Sequence, residues 1–316
     1  MTALRPSNDA PGQPLATGRR VVIAGGTGMI GRAITASLRA DGIEVTVLSR
    51  GTRPGVTPWD PSDPTSAVEA LRGADAVVNV CGAAIGPLPW WLPGRRAAIV
   101  RSRVGATATL VAAIEGLPAG ERPRVLVNAA GTDGYTGLDA EPATEATDTG
   151  QTPGFLPRLG RDWEAAASPA EAAGVRVVAV RTAFVLAAGS PLLRLFALPT
   201  RLFLGGPIGG GRQWFSWIHI DDLVRVYRLA LDDERLRGPV NAAAPGPVRQ
   251  ADVARAMGRV LHRPSRFPVP AWPLRLVLRE EATLVLGSRR VAPARLEELG
   301  FRFDYPEIEA ALGATL

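Results

Sequence analysis

The chain has 316 residues, 46% of them hydrophobic and 21% charged, which suits one large α/β domain with a real core and a smaller C-terminal part. Its net charge of +6 is spread without a basic run among aromatics, which excludes nucleic acid as the expected partner, and no apolar run approaches the roughly 18 residues of a membrane span. Two histidines and one cysteine exclude an internal disulfide and a nitrogen–sulfur metal cluster, and the absence of lysine excludes any step through a lysine amine.

Residues 1–18 are polar, with Pro6, Pro11 and Pro14, and read as a disordered tail rather than a signal peptide. That tail and the single Cys81 predict a soluble, cytoplasmic protein. Residues 20–24 (RVVIA) form a β-branched strand that runs into Gly25-Gly26-Thr27-Gly28-Met29-Ile30-Gly31. Ile30, Ile34 and Leu38 then repeat at helical spacing until Gly42, and residues 43–48 are the next strand. Asp63 and Pro64 open a helix carrying Val68 and Leu71, and residues 74–80 are a buried strand. A long helical pattern covers residues 93–115, 124–129 is a strand, 154–173 is helical, and 175–180 is another strand. This alternation predicts right-handed βαβ crossovers in a Rossmann-like, doubly wound parallel sheet with helices on both faces.

After Arg181 the rhythm breaks, and Pro, Gly and aromatic residues dominate 191–217. A helix over 221–231, a short strand near Val240 and a helix over 250–261 follow. The expected organisation is a dinucleotide-binding domain at 19–186 and a smaller α/β substrate-binding cap with a C-terminal module at 187–316, partly interleaved.

Gly25, Gly28 and Gly31 follow a strand and open an amphipathic helix, the context in which a G-x-x-G-x-x-G turn admits a pyrophosphate to a helix N-terminus. The second strand ends in Ser49 and Arg50, where an NAD site would carry an Asp or Glu for the ribose hydroxyls. An arginine there suits a 2′-phosphate, with Arg32 near enough to join it, so the expected cofactor is NADP.

Four segments carry a family resemblance: GGTGMIGRAI, WLPGRRAAIVRSRVGAT, RDWEAAA and GGGRQWFSWIHIDDLVR, with LGSRRVAPARLEELGFRFDYPEIEAAL at the C-terminus. Together they resemble the extended short-chain dehydrogenase/reductases, and more narrowly the atypical epimerase-like proteins of the YfcH type. The resemblance implies that Thr27, Gly28, Met29 and Ile30 face the pyrophosphate and Arg50 the adenosine phosphate. It also implies Asp60 near the adenine, Val80, Cys81, Gly82 and Ala83 along the adenosine side, and Arg181 to Ala183 near the nicotinamide.

A standard member uses a Y-x-x-x-K pair in which tyrosine exchanges a proton and lysine lowers its pKa. Here Leu159 stands at the tyrosine position and Trp163 at the lysine position. Gly131 falls near the usual serine, so Thr132 and Tyr135 are the expected catalytic residues, with Tyr135 lacking a cationic neighbour to activate it. His219 is expected to be a structural histidine bound to Asp221 or Asp222, with Asp221 as helix cap. Arg95, Arg96, Arg101 and Arg103 are expected on a solvated helix face, and Trp90 and Trp91 are candidate pocket walls. The leading expectation is an NADP(H)-dependent oxidoreductase acting on a small carbonyl, alcohol or activated double bond. An epimerase or isomerase that retains its nucleotide, and a non-catalytic NADP-binding sensor, are the alternatives. The expected partners are a small-molecule substrate and no membrane, in a monomer or homodimer.

Overall fold

Short stretches of β-branched residues buried on both sides require helices above and below a parallel sheet. The computed structural model describes residues 18–85, 92–138, 140–150 and 152–316. In β1 (Arg20–Ala24), Val21 and Ile23 enter one hydrophobic cluster while Val22 and Ala24 enter another. The chain continues through α1 (Met29–Ala40), β2 (Glu44–Ser49), β3 (Thr57–Pro58), α2 (Thr65–Leu71) and β4 (Ala76–Asn79). Then α3 (Arg95–Val100) passes through one π-helical turn, Arg101–Gly105, into α4 (Ala106–Glu115). β5 (Val125–Gly131), α5 (Phe155–Ala167), β6 (Arg176–Thr182) and β7 (Phe184–Leu186) follow.

The remaining elements are α6 (Pro191–Arg201), β8 (Trp214–Phe215), β9 (Trp217–His219), α7 (Ile220–Asp232), β10 (Gly238–Ala242), β11 (Val248–Arg249) and α8 (Gln250–Leu261). The chain closes with α9 (Ala271–Leu278), α10 (Thr283–Leu286), α11 (Ala294–Glu298) and α12 (Ile308–Thr315).

Seven strands pair in parallel in the order β3-β2-β1-β4-β5-β6-β10, so the doubly wound sheet expected from the sequence is present. One face is covered by α1 and α7 through Ile34, Leu38, Leu223 and Tyr227. The other is covered by α2 and α4 through Leu71, Leu110 and Ile114. The interleaving lies here: β10 and α7, from beyond residue 186, complete the sheet and its cover. Arg176 fixes α7 in place by donating to the carbonyls of Ala230, Leu231 and Leu236, a cation set against the helix C-terminus. A separate core built from Leu186, Leu193, Trp217, Val253, Met257 and Leu312 joins α6, α8 and α12.

Residues 95–115 are, by length and composition alone, a helix that could cross a bilayer, though Arg101 and Arg103 interrupt its apolar run as the sequence predicts. Half of that window is buried inside the fold, and Leu110 and Ile114 spend their apolar surface on the sheet. One expectation needs correction, at α7. The cap there is His219 rather than Asp221: its Nδ1 accepts the Asp221 backbone N–H at 3.2 Å. Asp63 acts as expected at the start of α2, its Oδ1 accepting the Thr65 N–H at 2.9 Å.

Candidate functional site

The strand order turns back at β1 and β4, and the loops leaving their C-terminal ends form the crevice in which such sheets bind ligands. Gly25, at φ +82°, lets these loops touch, because a Cβ there would lie 2.8 Å from the Val80 carbonyl and the Cys81 nitrogen. Gly31 lets α1 start against the loop, since its Cβ would lie 2.4 Å from the Gly25 oxygen. Gly28 occupies the helix N-cap and has no side chain to satisfy the first-turn N–H groups. Those donors and the helix dipole await an anion, and the residues fit a dinucleotide pyrophosphate.

Beside this turn, Thr27 and Ser49 hydroxyls approach within 3.4 Å, and exposed Arg50 follows directly on β2. Arg32, expected to join Arg50, instead folds one guanidinium nitrogen back onto the Thr27 carbonyl at 2.6 Å. Asp60 follows β3, which pairs with the end of β2, and its Oδ1 accepts from the Ser62 backbone and hydroxyl. Those two bonds hold its carboxyl below the usual carboxylate pKa. Across the crevice, Ala83 is pinned by its N–H to the Ser102 hydroxyl at 2.8 Å. Burial pushes the Cys81 thiol up to about 12 despite nearby Arg50, so it stays protonated and is no nucleophile.

Under the Val80–Ala83 loop lies a buried polar network. Asn79 Nδ2 donates to the Thr107 hydroxyl at 2.8 Å and to Asn128 Oδ1 at 2.7 Å, while its Oδ1 accepts the Cys81 N–H. Trp163, at the lysine position of the standard motif, donates its indole N–H to the same Thr107 hydroxyl at 3.0 Å. Over the indole, 5.1 Å from the ring centroid, lies the guanidinium of Arg103. Arg103 therefore does not share the solvated face expected of its helix: it is only 8% exposed, donates to the Ala83 carbonyl at 3.0 Å, and would collide with a Cβ on Gly82. Burial lowers its pKa to about 10, Asp133 works against that shift, and Arg95 adds to it. The chain thus sets a buried cation against the Val80–Ala83 loop from the helix turn between α3 and α4. Of the other three arginines, Arg101 is exposed, Arg96 pairs with Glu280, and Arg95 binds the Ala84 carbonyl.

Thr132 and Tyr135 share one 3₁₀ turn after β5, but the structure gives Tyr135 a cationic neighbour that the sequence reading denied it. Arg181 donates to the phenol oxygen, and the phenol donates to Asn241 Oδ1 at 3.0 Å. Arg181 also binds both carboxylate oxygens of Glu164, at 2.7 and 2.8 Å. Burial opposes its charge, and the bonds to Glu164 outweigh that and hold the guanidinium ionised. The phenol pKa is nonetheless raised, because burial outweighs Arg181. Tyr135 and Arg181 line a small pocket together with Gly131, Thr149 and Glu164, and the Tyr135 ring itself is fully buried. Tyr135 is thus a buried anchor between β5, β6 and β10. Arg181 is likewise committed to Glu164 and Tyr135. Thr132, at the head of the turn, is buried, and neighbouring Asp133 is held by Arg289 at 2.7 Å.

His219 caps α7 as a neutral ring stacked on Tyr305 with centroids 3.8 Å apart, and burial lowers its pKa despite Asp221, Asp222 and Asp304. Trp90 and Trp91 lie outside the described residues. Sequence reasoning missed Asn79, Asn128, Glu164 and Asn241, all polar residues in or beside apolar strands or helices. Such residues mark networks when a buried run contains them.

Comparison with known proteins agrees with this geometry. A family model described as the NAD dependent epimerase/dehydratase family matches residues 21–243, and one for a domain of unknown function, DUF1731, matches residues 269–315. The human epimerase family protein SDR39U1 is 36% identical over 300 residues, covering 93% of this chain and 98% of the human one. A chloroplastic SDR39U1 homolog of Arabidopsis thaliana is 36% identical over 307 residues, covering 94% and 86%. The crystal structure of human SDR39U1 with NADPH matches at a TM-score of 0.84 and 34% identity, covering 93% of this chain and 98% of that one.

Proposed function

The chain belongs to the NAD dependent epimerase/dehydratase family, and on that premise we propose that it is an NADP(H)-dependent oxidoreductase acting on a small carbonyl, alcohol or activated double bond. The observation that carries the choice of cofactor is Arg50, an exposed cation directly after β2 with no ion pair among the described residues, where an NAD site would set a carboxylate. NADPH in the human relative's structure supports it. The cofactor supplies hydride chemistry when bound. The uncapped first turn of α1 would hold its pyrophosphate, Arg50 would bind the 2′-phosphate, and Arg103 sets a positive charge under Gly82. Gly25 and Gly31 keep the backbone close enough for those contacts.

Proton delivery differs from the standard dyad. Tyr135 is occupied by Arg181 and Asn241, so the substrate oxygen is met by the Thr132 hydroxyl or by water. Screening carbonyl compounds for NADPH consumption tests this, with Thr132→Val as the variant. A fall in kcat/KM of about tenfold or more supports Thr132 as the donor, and an unchanged value assigns the proton to water. The locked phenol favours one second reading, a protein that senses NADPH against NADP⁺ without turnover. It predicts unequal affinities for the two forms and no consumption with any substrate. An epimerase that retains its nucleotide would instead copurify with it.

A further inference from the structure

Helix α6 is apolar on two sides. Leu193 and Ala197 face the small C-terminal core, while Leu195, Leu198 and Leu202, at i, i+3 and i+7, form an exposed stripe flanked by Arg194 and Arg201. The chain then turns through exposed Phe203, held at φ +64°, and Leu204. The next residues run beside 265–269, with bridges Gly205 to Ser265 and Ile208 to Val269, and Phe267 N–H bonds the Gly205 carbonyl at 3.0 Å. A Cβ on Gly206 would lie 2.1 Å from the Phe267 oxygen, so a glycine lets these two segments close. Their pairing brings exposed Phe267 to the same edge and leads into α9, in which no residue is buried. Trp272 is 70% and Leu276 72% exposed, one turn apart on that helix.

Arginine predominates in the segments that build this stripe. No Asp or Glu occurs from 172 to 220 or from 253 to 279, whereas arginines recur in both stretches. A shallow groove of about 740 Å³ adjoins it, lined by Arg255, Arg259, His262, Arg263 and Arg266. Arg255 and Arg259 pair with Asp252 and Glu309, while Arg263 and Arg266 make no ion pair among the described residues. Arg263 lies 4.5 Å over the Phe203 ring and so joins groove to stripe.

We propose that this face docks on bilayers containing anionic phospholipid. Leucine, phenylalanine and tryptophan side chains enter the interface, and the arginines of the rim and groove meet lipid phosphates. A second copy of the chain is the poorer occupant, since a symmetric contact would set one arginine rim against another. A bilayer supplies what the surface lacks: diffuse apolar depth and uniform negative charge. The contact is peripheral, so it departs from the composition-based expectation of no membrane partner without requiring a spanning helix.

The test is co-sedimentation of the full chain with phosphatidylcholine vesicles and with vesicles of equal parts phosphatidylcholine and phosphatidylglycerol. The protein is expected to pellet with the mixed vesicles only and to be released by about 0.5 M salt. Arg263→Gln with Arg266→Gln is expected to weaken binding at least about tenfold, from roughly five-fold per arginine. Trp272→Ala with Leu276→Ser, folded by circular dichroism, is expected to weaken it comparably. Wild-type protein left in the supernatant at low salt overturns the proposal. So does vesicle binding indifferent to the Trp272 and Leu276 changes. A concentration-dependent dimer that those changes dissolve, without vesicle binding, would assign the face to self-association instead.

Discussion

Replacing Tyr135 by Phe separates an anchor from an acid. The ring is fully buried, and Phe keeps its volume, so the change removes one oxygen and little packing. Without that oxygen, Asn241 Oδ1 loses its donor inside the core, while its Nδ2 keeps the Ala292 carbonyl at 2.9 Å. Arg181 loses one acceptor but retains both bonds to Glu164. An unsatisfied buried acceptor costs about 1–3 kcal/mol, and the lost charge-assisted bond brings the total to about 2–4 kcal/mol. At roughly 2–4 °C per kcal/mol for a large domain, calorimetry should show the midpoint lowered by about 4–16 °C. NADPH affinity below the transition, read by fluorescence titration, should stay within about twofold of wild type because the phenol contacts no cofactor loop. The reasoning is refuted if the midpoint is unchanged and turnover falls by about two to four decades, the effect of removing a general acid.

Three further outcomes follow from the same geometry. Gly31→Ala should lower NADPH affinity at least about tenfold by titration, because its Cβ would meet backbone atoms of Gly25 and Gly26 that cannot swing aside. Arg103→Met should leave stability within about 1 kcal/mol in urea, since it removes a costly buried charge along with its contacts, yet should weaken NADPH binding. His219 binds fewer protons folded than unfolded, because burial lowers its pKa, so its contribution is complete above the unfolded value near 6.5 and is lost as pH falls below it. Melting midpoints at pH 7.5 and 5.5 should differ less in His219→Asn, which can cap α7 without titrating.

What the sequence discloses is what the chain decides locally. The glycine turn, the amphipathic stripe of α1 and the arginine ending β2 each sit within a few residues of their consequences. Arg103 was hidden by two effects that act at a distance. A π-helical turn at Arg101–Gly105 shifts the register of a helix that otherwise reads as regular, turning Arg103 inward. Its aromatic partner, Trp163, lies sixty residues away on α5. The same distance concealed the Glu164–Arg181–Tyr135–Asn241 chain, which joins a helix, two strands and a turn. Strand β10 is found by its pattern but its partner is not, because pairing with β6 is a tertiary choice that no local propensity encodes.

The central claim is that the crevice between β1 and β4 selects NADP(H) through Arg50, and fluorescence titration of wild-type protein and Arg50→Ala with NADPH and NADH tests it most directly. The account predicts a preference for NADPH of roughly 10- to 100-fold in the wild type, from a charge-assisted contact of about 1.5–3 kcal/mol, and its loss in the variant with NADH binding unchanged. Equal binding of both nucleotides, indifferent to Arg50, or no binding of either, would contradict it.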